Sequence, residues 1–181
     1  DVPALLAAGT PLAGPVDHAV PVMTVTRPDG QLAAILFGYA CHNTTMGFLQ
    51  WQGDYAGYAQ EYLEKDHPGV TALFMMGCGG DQNPYPRSEL KYAQMHGRSL
   101  ATAIEAALEV NQTTPLHQHP LHGPVRSVLE TVDLEFVAPD QPAFAYPVQV
   151  VQFGNELMLV ALGSEVVVDY SLRIKRELGK P

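Results

Sequence analysis

The sequence predicts an α/β fold of the α+β kind, a mixed β-sheet with hairpins, flanked by helices. Three observations predict it. Two apolar runs of strand length, Gln31–Ala40 and Val70–Met76, each lead into a polar break and then a helical pattern. A later pair of runs, Tyr146–Phe153 and Leu157–Leu162, is separated only by Gly154-Asn155-Glu156, a hairpin signal. Strands and helices therefore alternate, but hairpins interrupt the alternation, which argues against a purely parallel, doubly wound sheet. No internal repeat is present. The 181 residues suffice for a core, and a single domain over residues 1–181 is expected.

Residues 1–16 are rich in Ala, Gly and Pro and read as an irregular lead-in. Val20–Thr26 alternates apolar and polar, as a strand does. In Arg27-Pro28-Asp29-Gly30, Pro28 presets φ and Gly30 accepts the left-handed position of a turn. Gln31–Ala40 is nearly all apolar and should be a central strand, antiparallel to the first and covered on both faces. Asp54 reads as the N-cap of a helix in which Tyr55, Tyr58, Ala59, Tyr62 and Leu63 recur at helical spacing, with His67-Pro68-Gly69 ending it. The strand Val70–Met76 runs into Gly77-Cys78-Gly79-Gly80-Asp81-Gln82-Asn83-Pro84-Tyr85-Pro86-Arg87. Ser88 then reads as the cap of a helix with the stripe Leu90, Ala93, Gly97, Leu100, Ile104, Ala107 and Leu108. Asn111–Pro120 is a polar connection, and Val125–Val137 reads as an exposed or edge strand. Ser164 reads as the cap of a last helix that turns Val167, Tyr170, Ile174 and Leu178 inward. Lys175, Arg176 and Gly179 suit its C-terminus.

Hydrophobic residues make up 46% and charged residues 16%, as in a globular chain and not a disordered one. The net charge of −9 argues against a nucleic-acid partner, which needs a basic face. No apolar run approaches the ~18 residues of a membrane helix. The two cysteines, Cys41 and Cys78, each follow a predicted strand and are expected as reduced, buried thiols. The chain has no initiating Met, no signal peptide and no evident end signal, so a fragment of a longer protein is expected.

Three central strands end in polar groups: His42 after the first, Asp81 and Asn83 after the second, Glu165 after the third. Were the strands to run the same way, these ends would share one rim of the sheet, where open α/β sheets bind ligands. A His and a Glu suit zinc, and the first turn of a helix would keep Glu165 ionised. Each group also has a plainer reading. His42 would be a buried histidine bonded to backbone, Glu165 a complement to the helix dipole, and Asp81 a cap for its loop. His117, His119 and His122 form a weaker metal-like cluster in a Pro-containing connection. Gly77-x-Gly79-Gly80 is neither GxGxxG nor a P-loop, so an anion- or nucleotide-binding reading of it is weak.

Four stretches, in this order, carry a resemblance: Phe37–Thr45, Gly53–Ala59, Gly77–Pro84 and Ala161–Glu165. Together they resemble the N-terminal catalytic domain of the neutral/alkaline (non-lysosomal) ceramidases, in particular bacterial ceramidase-like proteins. The resemblance runs from Gly14 to Pro181, and the ordered set is more specific than any one motif. It implies a secreted or periplasmic zinc amidase, part of a larger catalytic domain, that splits N-acylsphingosine or a related lipid or small-molecule amide. It also implies peripheral contact with a membrane surface. The family holds its Zn2+ with two His, one Glu and one Tyr. His42 matches the second His and Glu165 the Glu, while the other two ligands are expected before Asp1 and after Pro181. The family loop reads Gly-Asp-x-Ser-Pro, and its serine has an active-site role. Here Asn83 stands in place of that serine. Asn is no nucleophile, but its amide can hold a substrate carbonyl or a water. Asn83 and Asp81 are thus the candidate catalytic residues beside the metal ligands His42 and Glu165. A non-catalytic binding module that retains the fold is the alternative.

Overall fold

The computed structural model describes residues 2–10, 13–109, 120–138 and 140–179. They form α1 (Val2–Ala7), β1 (Val22–Thr26), β2 (Leu32–Tyr39), α2 (Asp54–Asp66), β3 (Thr71–Met76), α3 (Leu90–Leu108), β4 (Val125–Leu134), β5 (Phe144–Phe153), β6 (Leu157–Leu162) and α4 (Val168–Leu178). The mixture of helices and small sheets is the expected α+β fold. The chain divides into two compact units, one of Asp1–Leu108 with Val167–Pro181 and one of Glu109–Val166. The lead-in differs from expectation in that Val2–Ala7 is helical. Its Ala and Leu residues favour helix, and Pro3 lies in the first turn, where a missing N–H does no harm.

In the first unit the sheet order is β1-β2-β3, with β1 antiparallel and β3 parallel to β2. Ile35, Phe37 and Ala72 point from this sheet into a core completed by Tyr55, Ala59 and Leu63 of α2 and Leu100 and Ile104 of α3. The other face, expected to be covered, is half-buried at Leu36 and 47% exposed at Leu73 among the described residues. The reason is that α2 and α3 lie on each other as well as on the same buried face, so neither remains for the second.

The α3 stripe is buried at Ala93, Gly97, Leu100 and Ile104, as the period predicts, whereas Leu90 at the first turn is 46% exposed. Gly97 is the point of closest approach between the helices. A Cβ built there would lie 2.5 Å from Tyr58 Cβ and 2.7 Å from the Tyr55 carbonyl. At the end of the pair, the Arg98 guanidinium stacks 3.6 Å from the Tyr62 ring centre, and His67 Nε2 meets Glu105 at 2.9 Å. Asp54 is not the expected N-cap of α2, since Gly53 holds that position. Asp54 is instead fully buried with φ of 51°, its carboxylate accepting the N–H groups of Met46 at 2.9 Å and Tyr55 at 2.7 Å.

In the second unit β4, β5 and β6 form an antiparallel meander. The expected hairpin is present between β5 and β6, and β4 is an edge strand with every residue exposed. Tyr146 Oη donates to the Gly163 carbonyl at 2.6 Å, holding the end of β6 against β5.

Helix propensity alone would make Gly97→Ala stabilising by about 1 kcal/mol. The contact with Tyr55 and Tyr58 reverses the sign, and a loss of about 1–3 kcal/mol is expected, as for other overpacked sites. Urea unfolding measures it, and an unchanged or raised midpoint would show that the helices do not meet at Gly97.

Candidate functional site

The parallel register pairs Tyr39 with Met76, so the residues after β2 and those after β3 leave the sheet on one rim. The Gly-rich loop is built for this closeness. A Cβ on Gly79 would lie 2.6 Å from Cys41 N, and one on Gly77 would lie 3.1 Å from Ala40 Cα. These glycines therefore admit the neighbouring strand end rather than a phosphate. Backbone bonds then lace the two segments, Gly77 N–H to the Tyr39 carbonyl and His42 N–H to the Gln82 carbonyl, both at 3.0 Å.

His42 is half-buried, and its Nε2 lies 3.2 Å from the Gly80 carbonyl. The plainer reading, a histidine bonded to backbone, is thus part of the geometry. It is also the arrangement in which metal-ligating histidines keep their tautomer, with one ring nitrogen donating to a carbonyl. Among the described residues, no three His, Cys, Asp or Glu side chains gather to hold a metal ion.

Asp81 turns away from this contact. Its Oδ1 accepts the Val168 N–H at 3.0 Å, and that bond, ahead of its partial desolvation, holds the carboxyl below the usual Asp range. Asp81 is therefore a cap, as its plainer reading had it, but for the N-terminus of α4 and not for its own loop. Ser164 does not cap α4, because the helix begins at Val168 with Val167 as N-cap. Glu165 accordingly lies before α4 and not in its first turn, where Asp169 stands. Glu165 therefore lies outside the first turn, where the helix dipole acts most strongly. Glu165 belongs to the second unit, in the segment after β6. That strand lies in its own sheet, so the three strand ends do not share a single sheet's rim. The first two do.

Asn83 is fixed by its oxygen. Thr44 Oγ1 donates to Oδ1 at 3.1 Å, and Arg87 Nη1 donates weakly at 3.4 Å. A guanidinium has only donors, so it determines which end of the amide is oxygen. The Nδ2 donors then point elsewhere. Asn83 lines a cavity of about 390 Å³ together with Pro84 and Tyr85 of the same loop. Tyr39 closes it from the end of β2 and Cys41 from the segment after it, Tyr55 from α2, and His96, Ser99 and Leu100 from α3. Tyr55 Oη donates to the Cys41 carbonyl at 2.6 Å, and burial raises its pKa. Burial, and then the nearby Asp54 charge, push the Cys41 thiol up to about 11. Cys41 and Cys78 are free thiols, as expected, but only Cys41 is buried, Cys78 being partly exposed.

The sequence reading missed this cavity. Tyr55 was legible only as helix packing, and His96 not at all. It also missed Asp17, a buried carboxylate that accepts Ser171 Oγ and Lys175 Nζ, both at 2.6 Å. Nothing in an irregular lead-in marks that residue. His117 and His119 lie outside the described residues, and His122 contributes its backbone N–H to Glu156 at 3.0 Å.

No protein-family model matches the chain, and no curated protein matches it. Solved structures do. Neutral ceramidase from Pseudomonas aeruginosa superposes with a TM-score of 0.70 at 18% identity over 89% of this chain. The fold is similar to that of neutral ceramidase. A ceramidase complexed with C2 gives a TM-score of 0.68, also at 18% identity over 89% of the chain. The resemblance read from the four stretches thus holds at the level of fold. The chain spans 36% and 38% of the length of those two structures.

Two outcomes test the site's electrostatics. The Asp81 carboxyl is depressed in the folded state, so its contribution is present above the unfolded value near 3.8 and is lost as pH falls through the folded one. Asp81→Ala should lower stability at pH 7 by about 1 kcal/mol or less, the cost of an exposed cap. Asp81→Asn should flatten the acid limb of the stability curve below pH 4 or so. Cys41 is raised, so its contribution is present below the unfolded value of 9.0 and is lost as pH rises toward 11. In the native protein at pH 8, Cys41 should resist iodoacetamide, and rapid labelling would contradict its burial.

Proposed function

We propose that this chain belongs to the catalytic part of a ceramidase-like hydrolase that cleaves the amide of N-acylsphingosine or a related N-acyl compound with the help of zinc. The carrying observation is the likeness in fold to neutral ceramidase over 89% of the chain. His42 and Glu165 would hold the zinc. The resemblance puts its other two ligands outside these residues, as a four-coordinate shell requires. Bound zinc would polarise the amide carbonyl and lower the pKa of a water to about 7.

The chain's own groups have distinct tasks in this reading. The Gly80 carbonyl orients the His42 ring. Asn83, its oxygen held by Thr44 and Arg87, offers Nδ2 to the carbonyl oxygen of the amide as charge builds on it. Tyr39, Tyr55, Tyr85 and Leu100 would line the bound compound with apolar and aromatic surface. Asp81 acts at one remove, by fixing the loop to α4.

One observation favours a second reading. With Asn83 in place of the family's serine, the chain also suits a binding module that keeps the fold without turnover. Fatty-acid release from ceramide separates the two. The hydrolase reading expects release that a chelator abolishes and zinc restores. His42→Ala should lower kcat/KM by more than the ~10–100-fold typical of a residue behind a ligand. Asn83→Ala should lower kcat by about 100-fold with KM little changed, as the loss of one oxyanion donor does. Absence of release with or without zinc would leave the binding module.

A further inference from the structure

Three hydroxyl and thiol groups on the cavity wall spend their hydrogens inside the protein. Tyr55 Oη donates to the Cys41 carbonyl at 2.6 Å, Ser99 Oγ to the Met95 carbonyl at 3.0 Å, and Cys41 Sγ points to the Gln82 carbonyl at 3.8 Å. His96 does the same. Its Nε2 lies 2.8 Å from the Pro86 carbonyl, and a carbonyl only accepts, so Nε2 carries the hydrogen. In the neutral ring Nδ1 is then a bare acceptor. It has no partner among the described residues, and it is not sealed off, because the one buried polar side-chain atom without a partner among them is Thr45 Oγ1.

The ring is also fixed in place. Its neighbour Gly97 is where α3 touches α2, and a Cβ there would lie 2.5 Å from Tyr58 Cβ. That contact sets the position of His96 on the cavity wall, and the Pro86 bond sets the rotation of the ring. Among the described residues that line the cavity there is no Asp, Glu, Lys or Arg. A charged ligand group meets no counter-charge there, whereas a neutral donor meets a ready acceptor.

We infer that His96 is a specificity-determining residue, which selects secondary amides over esters by accepting the amide N–H at Nδ1. The inference rests on the amide-hydrolase reading above. In that reading Asn83 takes the carbonyl oxygen, and the donor that a bound amide brings nearest to that oxygen is its own N–H. Asn83 and His96 line the same cavity of about 390 Å³, one from the loop and one from α3, so one small ligand meets both. An ester has an oxygen where the amide has its N–H, and the lone pairs of that oxygen would face those of Nδ1. A tertiary amide has an alkyl group there. Either leaves Nδ1 unpaired, and sites built to bond a substrate N–H reject analogues that lack it.

The test uses the intact protein at pH 8 and three octanoyl compounds: N-ethyloctanamide, its N-methyl derivative and ethyl octanoate. NMR of labelled histidine, with the His96 signals assigned by difference from His96→Gln, should show Nε2 protonated and Nδ1 bare. N-ethyloctanamide should shift the Nδ1 signal toward that of a hydrogen-bonded nitrogen, and calorimetry should show it binding about 10-fold more tightly than either analogue. Two variants separate selection from scaffolding. The Gln side chain is long enough to place its amide N–H where Nε2 lies, and it has no ring nitrogen at Nδ1. His96→Gln should keep the unfolding midpoint and bind the three compounds alike. The shorter Asn side chain places its amide near Nδ1 and loses the Pro86 bond. His96→Asn should keep the preference for the secondary amide. A residue that merely held the loop would give the reverse pattern, and that result would overturn the inference. So would equal binding of the three compounds by the unmodified protein, or an Nδ1 that carries the hydrogen. Octanoate release separates this role from the hydrolase reading. Release at equal kcat/KM from amide and ester would keep that reading and overturn the role of His96. A binding preference without release would uphold the role and leave the binding module.

Discussion

The site depends on one steric constraint, the approach of the Gly77–Gly79 backbone to the end of β2 at Ala40 and Cys41. Any side chain on Gly79 would overlap the Cys41 amide, so the loop reaches this position only as glycine. Once there, its residues have little choice of direction. The carbonyls of Gly80 and Gln82 face His42, one toward the ring and one toward the backbone N–H. The side chain of Asp81 faces the opposite way and reaches α4. Asn83 follows, held between Thr44 and Arg87. A strand-end contact without chemistry of its own thereby sets the directions of three candidate groups, His42, Asp81 and Asn83.

The first unit also contains two buried carboxylates, Asp17 and Asp54, solved in different ways. Burial alone would raise the Asp17 pKa, but the hydrogen bonds from Lys175, Ser171 and Ala19, with the Lys175 charge, outweigh it and the carboxyl is lowered. That ion pair joins the lead-in to α4 and supports the same helix whose N-terminus Asp81 caps. Asp54 has backbone N–H partners in its place and closes a loop. Both acids act as fasteners for backbone, which is why neither looked functional by residue type.

How much was legible in the sequence follows from the range of each interaction. β2, β3, the turn at Pro28 and Gly30 and the β5–β6 hairpin rest on local patterns of period and turn chemistry, and they stand where those patterns put them. The shared rim of His42 and Asn83 was also legible, because parallel strands joined by a helix must end on one side. What failed was capping and sheet membership. Asp54, Ser88 and Ser164 are all cap-type residues with positive φ; Asp54 is the first residue of α2, whereas Ser88 and Ser164 sit at turns before α3 and α4, and a sequence pattern reads all three as caps. The actual acceptor at α4 comes from Asp81, 87 positions away, which no local rule could supply. The assignment of β6 to a separate sheet is likewise a long-range fact.

The position of Asn83 bears on what kind of catalysis the proposed site could support. A serine there would be a hydroxyl free to rotate, able to donate, accept or attack. An amide whose oxygen accepts from Thr44, and weakly from Arg87, turns its N–H donors away from both. Fixed donors favour a charge that develops in the transition state and cost no reorientation when it appears, whereas a rotating hydroxyl must first be aligned. Under the proposed function, Asn83 in place of a serine would therefore remove nucleophilic chemistry from the loop and keep electrostatic chemistry. In such a site the attacking oxygen has to come from water activated elsewhere. The demand would then shift to the metal shell that His42 would join, and to the cavity walls that would hold an amide beside Asn83.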